Sequence, residues 1–589
     1  MKKQLVSILL TLCMVLPLMP TAAWAAEKPA DAPVLVEQGD SSAATAEKPA
    51  SEKDTETPAP EPLPTEIALC SYKSKNGAEG NNVSLAAAVT ALNKNDGGTI
   101  TVTSSGLPDE DERKSSQLEV EEDITIIPQE DKPVTVYADG VVFALRQGKK
   151  GKLTIGQQGM KAGLLTFDGS NEVRTFITTA TPDEEYQGLR QVEINDGVVL
   201  QNFTHSVIGG SDFYFSGKYL DGCIDLTMHG GEICNNALKT ITSGIDRIGS
   251  VAVRCSKFYM DGGSIHDNTA DIGIIVVCKR ESTPQDGPAI ITGEAKIYDN
   301  SHDPDGVSPS SSIISSGYKV ILSDNAEIYG CHDTVDLVHS SADITLEDQA
   351  KIYDCTSTGG ELGYSAVTGY NITMADDASI YNCTSEAGGA VNAYYKFEMS
   401  GRASIRKCTT LRAIENHPVA GIAVDAGMSP YFNDEENSFV MRDDAVISNC
   451  SGPGEAGGVY VKNGCALMGD RAKIEYCSTP PLADYEKIYT LSTPLSTGGI
   501  YMLSGSLTMC GQSKIDHCST YGMGGGVYMA YASGDATLKD QASITDCTAF
   551  VDTSLDDLID VYKAGGLYAE KSNVTMEKGT KITGCTGVI

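Results

Sequence analysis

Along most of its length the chain repeats one short phrase of alternating apolar and polar positions. In ITMADDASIYNC (372 to 383), Ile372 and Met374 alternate with Thr373, Ala378 and Ile380 alternate with Ser379, and Asp376 and Asp377 separate the two pairs. Alternation over so few residues, broken by turn formers, predicts two short strands joined by a turn, each with one apolar face. Aligned on the isoleucine, twelve copies run from residue 224 to the end at spacings of 24 to 42 residues, among them LTMHGGEICNN at 226, FYMDGGSIHDN at 258, ITLEDQAKIYDC at 344 and VTMEKGTKITGC at 574. A third apolar run follows in several copies: GGAVN at 388, GGVYV at 457, GGIYM at 498, GGVYM at 525 and GGLYA at 565.

Three short strands cannot enclose a core alone, whereas stacked repeats can. Like segments lie a full repeat apart, so like pairs with like in parallel. The predicted fold is all-β: a right-handed parallel β-helix, a solenoid whose strands rise about 4.8 Å per turn and whose hand follows the crossover rule. Leucine-rich repeats fit poorly, because their regular Leu and Asn spacing is missing. Residues 223–589 are the regular repeats, and residues 67–222 hold the N-terminal cap and irregular first turns. There SLAAAVTALNKNDGGTITV from Ser84 reads as a helix with Leu85, Ala88, Val89 and Leu92 on one face, stopped at Asp96-Gly97-Gly98 and followed by a strand. Over the open end of the stack it would shield the first strands from pairing with other chains.

Two slots of the repeat carry candidate chemistry. The turn position is Asp in some copies (Asp324, Asp348, Asp376, Asp443, Asp470, Asp540) and Gly in others (Gly230, Gly262, Gly293, Gly401, Gly511). Interchange of Asp with Gly points to left-handed backbone dihedrals; calcium held by stacked aspartates is the sharper alternative. The third residue after the isoleucine is Asn236, Asn268 and Asn300, then Cys331, Cys355, Cys383, Cys408, Cys450, Cys477, Cys518, Cys547 and Cys585. Because the inward alternation breaks there, this slot is expected at a bend, facing inward and stacked on its equivalents. Asparagines would form side-chain amide ladders, and thiols would fill the same niche as weakly polar hydrophobes. Disulfides between neighbouring turns are the competing arrangement. Free thiols are favoured, because nine is odd and each sulfur would have two equivalent neighbours. A metal site on the ladder is disfavoured, since no Cys-x-x-Cys or His pair accompanies it.

Tyrosines add a surface expectation. Tyr298, Tyr329, Tyr353 and Tyr381 follow the inward isoleucine, and Tyr460, Tyr501, Tyr528 and Tyr568 sit between the two inward residues of the third strand. Both sets are expected to point outward as exposed ladders. The second set is the candidate glycan-binding row; mutual stacking that stabilises the sheet is the plainer role.

Composition narrows the partners. Residues 1–25 have a Lys2-Lys3 start, an apolar run from Leu5 to Met19 and a small-residue end at Ala23-Trp24-Ala25, the pattern of a secretory signal peptide. Residues 26–66, Pro/Ala/Glu-rich with AEKPA at 26 and again at 46, are expected to be a disordered linker. No transmembrane segment is expected beyond the signal peptide. The formal charge of -35, from 79 acids against 44 bases, argues against nucleic acid.

The cap helix, the GGTITV strand entry and the repeated T-M-x-x-x-A-x-I-x-x-C/N phrase with its GG-φ-Y sequel resemble the pectin-lyase-like right-handed β-helix superfamily. More narrowly they resemble adhesin-like secreted or surface proteins of Gram-positive-type bacteria. The resemblance covers about residues 80 to 589 and specifies architecture better than function. It implies an extracellular, elongated protein binding glycans or host or neighbouring-cell components, or a purely structural stalk. It also allows a polysaccharide lyase or glycoside hydrolase. The superfamily's glycosidases carry NTD, DD, GHG and RIK segments; here Asp376-Asp377 and Asp443-Asp444 belong to the turn slot, and GHG and RIK are missing. Its lyases set a basic residue beside calcium-binding acids, and bases here are unclustered. No catalytic residue and no cofactor is therefore assigned, Ca²⁺ remaining the one candidate. The chain stops at CTGVI, where other copies begin the third strand, and the expectation is either a longer protein, whose further C-terminal region could attach it to the cell surface, or an end that pairs with a partner. Three excursions, 410–438, 478–499 and 549–566, are expected on one flank, where specificity would reside.

Overall fold

The computed structural model describes residues 65–587 except 110–116, 131, 139–142, 146–150, 180–189, 210–213, 216–217, 220–223, 244–245, 249, 279–286, 304–310, 358–364, 387, 412–420, 430–435, 481–495 and 551–562. The signal peptide, nearly all of the linker, 412–420 and 430–435 of the first excursion and the middles of the other two excursions lie outside the described residues.

Residues from Leu63 onward belong to one unit, and its described part is a parallel β-helix. One turn runs through Ile344–Leu346, Lys351–Tyr353, Thr356–Ser357 and then Val367–Met374, whose second half already begins the next turn. Each strand pairs in parallel with its equivalent one repeat on: Ile344 with Ile372, Ile352 with Ile380, Thr356 with Thr384 and Val367 with Val391. The second strands form one 15-stranded sheet, which starts at Val134–Tyr137 in the irregular region and ends at Lys581–Thr583. The two-residue strand at Thr356–Ser357 has no counterpart in the sequence reading, because two residues are too few to display an alternation.

Alternation puts two side chains of a first strand such as Ile344–Leu346 inside, and the central isoleucine of a second strand such as Lys351–Tyr353. The repeat isoleucines Ile265, Ile297, Ile328, Ile352, Ile380, Ile405, Ile447, Ile474, Ile515 and Ile544 are all fully buried, as are Met374, Met441, Met468 and Met509. At roughly 1.5–3 kcal/mol for each buried large aliphatic, these columns supply the main drive for stacking. In the early turns four phenylalanines (Phe143, Phe167, Phe176, Phe203) fill the interior, with ring centroids 4.7 to 6.2 Å apart.

The first edge is closed by α1 (Leu85–Asn93), with Leu85, Ala88, Val89 and Leu92 buried and the Ser84 hydroxyl accepting from the Ala87 N–H at 3.3 Å. Beside it β1 (Cys70–Ser74) pairs antiparallel with both β2 (Glu79–Val83) and β3 (Gly98–Val102). Parallel stacking begins where β3 pairs with Ile124–Pro128.

Turn geometry follows the Asp/Gly slot with one correction. Asp324, Asp348, Asp376, Asp443, Asp470 and Asp540 are left-handed, as are Gly293, Gly401 and Gly511. In the two Gly-Gly copies the turn from Met228 to Ile233 is one residue shorter than that from Met374 to Ile380. There Gly231 (φ 74°) and Gly263 (φ 78°), not Gly230 and Gly262, take the left-handed conformation. A second left-handed residue precedes the Asn/Cys slot in all twelve copies, from Asn235 to Gly584, with φ between 50° and 70°. This residue breaks the strand alternation and turns the following side chain inward.

Candidate functional site

The inward slot is a continuous polar-to-thiol column. Asn236 Nδ2 donates to Asn268 Oδ1 at 2.8 Å, Asn268 Nδ2 to Asn300 Oδ1 at 3.0 Å, and the same oxygens accept the Asn236 and Asn268 backbone N–H groups at 3.2 and 3.1 Å. Remaining amide protons reach Ile233 and Ile265 carbonyls at 2.9 and 2.8 Å. From Cys331 onward the slot holds free thiols, buried through Cys547 and partly buried at Cys585. Each thiol points at the carbonyl two residues back, as Cys355 Sγ does to Tyr353 O at 3.2 Å. Burial first, then the neighbouring thiols Cys477 and Cys547, pushes Cys518 far above the usual thiol range. Cys518 is therefore packing material rather than a nucleophile.

The turn aspartates are engaged by backbone. Asp348 Oδ2 accepts the Asp324 N–H at 3.2 Å, Asp443 Oδ2 the Gly401 N–H at 3.0 Å, Asp470 Oδ2 the Asp443 N–H at 3.2 Å and Asp540 Oδ2 the Gly511 N–H at 3.0 Å. Each carboxylate thus ties its turn to the preceding one. Asp377 and Asp444, one place on, hold Arg402 and Arg471 in two-pronged ion pairs.

Exposure of the third-strand tyrosines is corrected by the structure. Tyr460, Tyr501 and Tyr528 do leave the face opposite the core, in register with one another and with Tyr568. They are nevertheless only 6%, 2% and 1% exposed, packed with Ala456 and Ala530 and flanked by Met428, Leu503, Met523 and the partly buried Tyr568. Their rings follow at 5.2, 4.8 and 5.6 Å with tilts of 37°, 53° and 26°, so no face is free for a sugar ring. Side-chain alternation determines the side of the sheet; what covers that side comes from corners and loops of other repeats.

At the head of this column stands an acid that the sequence reading passed over. Asp425 lies in Val424–Ala426, a third strand inside the supposed excursion 410–438, and pairs with Tyr460. The signal was there: GIAVDA at 421 matches the GG-φ-Y runs with Asp in the tyrosine place. Burial pushes the Asp425 carboxyl up to about 8, against the opposing pull of the Gly421 N–H bonded to it. Glu455, bonded to Tyr460, is pushed up by burial to about 7. Two carboxyls held near neutrality beside a tyrosine column are the most perturbed acid pair among the described residues.

The second-strand tyrosines form the exposed row. Tyr298, Tyr329, Tyr353 and Tyr381 are half-buried and stack at 5.0, 5.0 and 4.9 Å within 13° of parallel, with His266 continuing the stack at 4.5 Å. Because each ring face is covered by the next, the row offers solvent its edges and hydroxyls. Burial, and for Tyr353 next the Glu327 carboxylate, raises these phenols, so they stay protonated as hydrogen-bond donors. Beside them Lys296, Glu327 and Lys351 stand in register, with Glu327 paired to Lys351 at 3.1 Å and to Lys296 at 3.8 Å. Arg406 follows Tyr381 and ends the row.

Among the described residues no helix is long and apolar enough to cross a membrane. No protein-family model, curated protein or solved structure matches this chain.

Proposed function

We propose that this is a secreted or cell-surface, adhesin-like scaffold of the pectin-lyase-like type that binds glycan along the row Tyr298, Tyr329, Tyr353 and Tyr381. The carrying observation is the row itself: four half-exposed phenols at a constant 4.9 to 5.0 Å on a rigid sheet, beside an alternating Lys/Glu/Lys column. A polar rather than apolar strip suits an extended, hydroxyl-rich chain, which would exchange hydrogen bonds with successive phenols and stems. Each such bond contributes about 0.5–1.5 kcal/mol, so several in line are needed for measurable affinity. Binding of the full chain to an array of neutral and acidic polysaccharides is the test. Tyr329→Phe with Tyr353→Phe keeps the stack and removes two hydroxyls, and it should lower binding at least ten-fold. Unchanged binding by that double variant removes the row from the function.

A polysaccharide lyase or hydrolase is the second reading, favoured by Asp425 and Glu455. A carboxyl titrating near neutrality can donate and accept a proton at working pH. Release of reducing or unsaturated ends from a polysaccharide, lost in Asp425→Asn, would establish it; no turnover on any substrate bound by the array leaves the scaffold reading.

A further inference from the structure

We propose that Glu232, Cys234 and His266 form a binding site for a thiophilic divalent cation of the zinc type, at the head of the exposed tyrosine row. Glu232 and Cys234 stand two apart on one strand and so leave the same face. The next strand sets His266 in register beside Cys234. The ligand atoms offered by the three residues all lie within 4.8 Å of one another, with Glu232 Oε2 and His266 Nε2 already at 3.7 Å. Tetrahedral zinc, with bonds of about 2.0–2.3 Å, needs ligand atoms about 3.3–3.8 Å apart, so side-chain torsions suffice to close the set.

Two features point to a cation rather than to a chance meeting. His266 Nδ1 lies 2.7 Å from Asp267 Oδ2, the carboxylate-to-imidazole contact that places the proton on Nδ1 and aims the Nε2 lone pair at the metal. The same ring lies flat on Tyr298, 4.5 Å away at 3°, so its plane is held before anything binds. Cys234 is 3% exposed and lies outside the inward ladder, on the face it shares with Glu232, and a cation would take the place of its thiol proton. Thiolate and imidazole select against Ca²⁺ and Mg²⁺. Three protein ligands leave one position for water or a ligand oxygen. Among the described residues the other grouping of this sort, Asp516, His517 and Asp546, has no sulfur, and Asp516 already holds Lys514 Nζ at 2.8 Å.

Cobalt is the probe. The full chain, reduced and stripped of metal, should take up one equivalent of Co²⁺ with a thiolate-to-cobalt charge-transfer band and tetrahedral visible bands, both erased by Zn²⁺. Cys234→Ser should abolish the charge-transfer band, and His266→Gln should weaken binding at least ten-fold. Asp267→Asn, tolerated by the left-handed backbone at that position (φ 53°), should weaken it about 10–100-fold, the range for loss of such an orienting partner. Far-ultraviolet circular dichroism checks that each variant stays folded, and His266→Gln carries the test if Cys234→Ser does not. A folded wild-type chain that binds no Co²⁺ overturns the site. So does a charge-transfer band that survives Cys234→Ser, which would place the metal on another thiol of the chain.

Discussion

Asp425 and Glu455 are carboxyls kept in surroundings that favour their neutral form, and that preference sets a sign for stability against pH. The folded value of Asp425, about 8, lies above its ordinary 3.8, and that of Glu455, about 7, above 4.5. The native state therefore binds protons that the unfolded chain releases. The stabilisation is fully present below about pH 4 and is lost as pH rises through 7 and 8, by up to about 1.4 kcal/mol per pH unit for each group. Asp425→Asn keeps an acceptor for the Gly421 N–H and removes one titration. Its melting temperature should fall less than that of the wild type between pH 5 and pH 8; parallel profiles would show that Asp425 ionises freely. The place of Asp425 in the tyrosine column was legible in GIAVDA; that either acid favours its neutral form was not, since a raised carboxyl value is a property of what surrounds it.

At the scale of the strand and its turn, the Asn/Cys slot shows how a local backbone choice becomes a long-range column. A left-handed residue just before the slot turns the side chain inward in every copy, and the parallel register then places it on its equivalent. Asn268 holds the Ile233 carbonyl and the Asn236 and Asn300 side chains at once. Asn268→Ala would leave several buried polar groups without partners, at about 1–3 kcal/mol each. Amide exchange at Asn236 should accelerate accordingly, by two orders of magnitude or more. Asn268→Cys, with a thiol able to reach the carbonyl two residues back as Cys355 does, should cost less than Asn268→Ala; equal cost would mean that thiol and methyl serve this niche alike. That Asn and Cys share one place could be read from aligned copies. That the place is reached through a left-handed residue could not, because Tyr476 and Lys407 occupy it in some copies and neither is a turn former.

For the unit as a whole, the open first edge is the vulnerable surface. Parallel strands end in unpaired N–H and C=O groups, and α1 with the antiparallel β1 covers them. Leu92, fully buried against the first strands, anchors that cover. Leu92→Asp should release α1 at about 3 kcal/mol or more and convert the chain into edge-to-edge oligomers, seen by light scattering after size exclusion. A monomer that melts like the wild type would show that β1 alone guards the edge. The helix, its four buried residues and its stop were legible in advance, because amphipathic spacing and an Asp-Gly-Gly breaker are local signals.

What the sequence determined by itself is the phase of the coil: which residues repeat, that like stacks on like, and which side chains face the interior. Those follow from alternation and from repeat spacing, both readable without knowing any neighbour. Only the tertiary structure decided that Tyr460, Tyr501 and Tyr528 are covered while Tyr298 to Tyr381 remain half open, that Asp425 and Glu455 favour protonation, and that Glu232, Cys234 and His266 meet. The physical reason is the same in each case: cover, dielectric and convergence are contributed by residues a full repeat or more away, and the alternation of a strand carries no record of them.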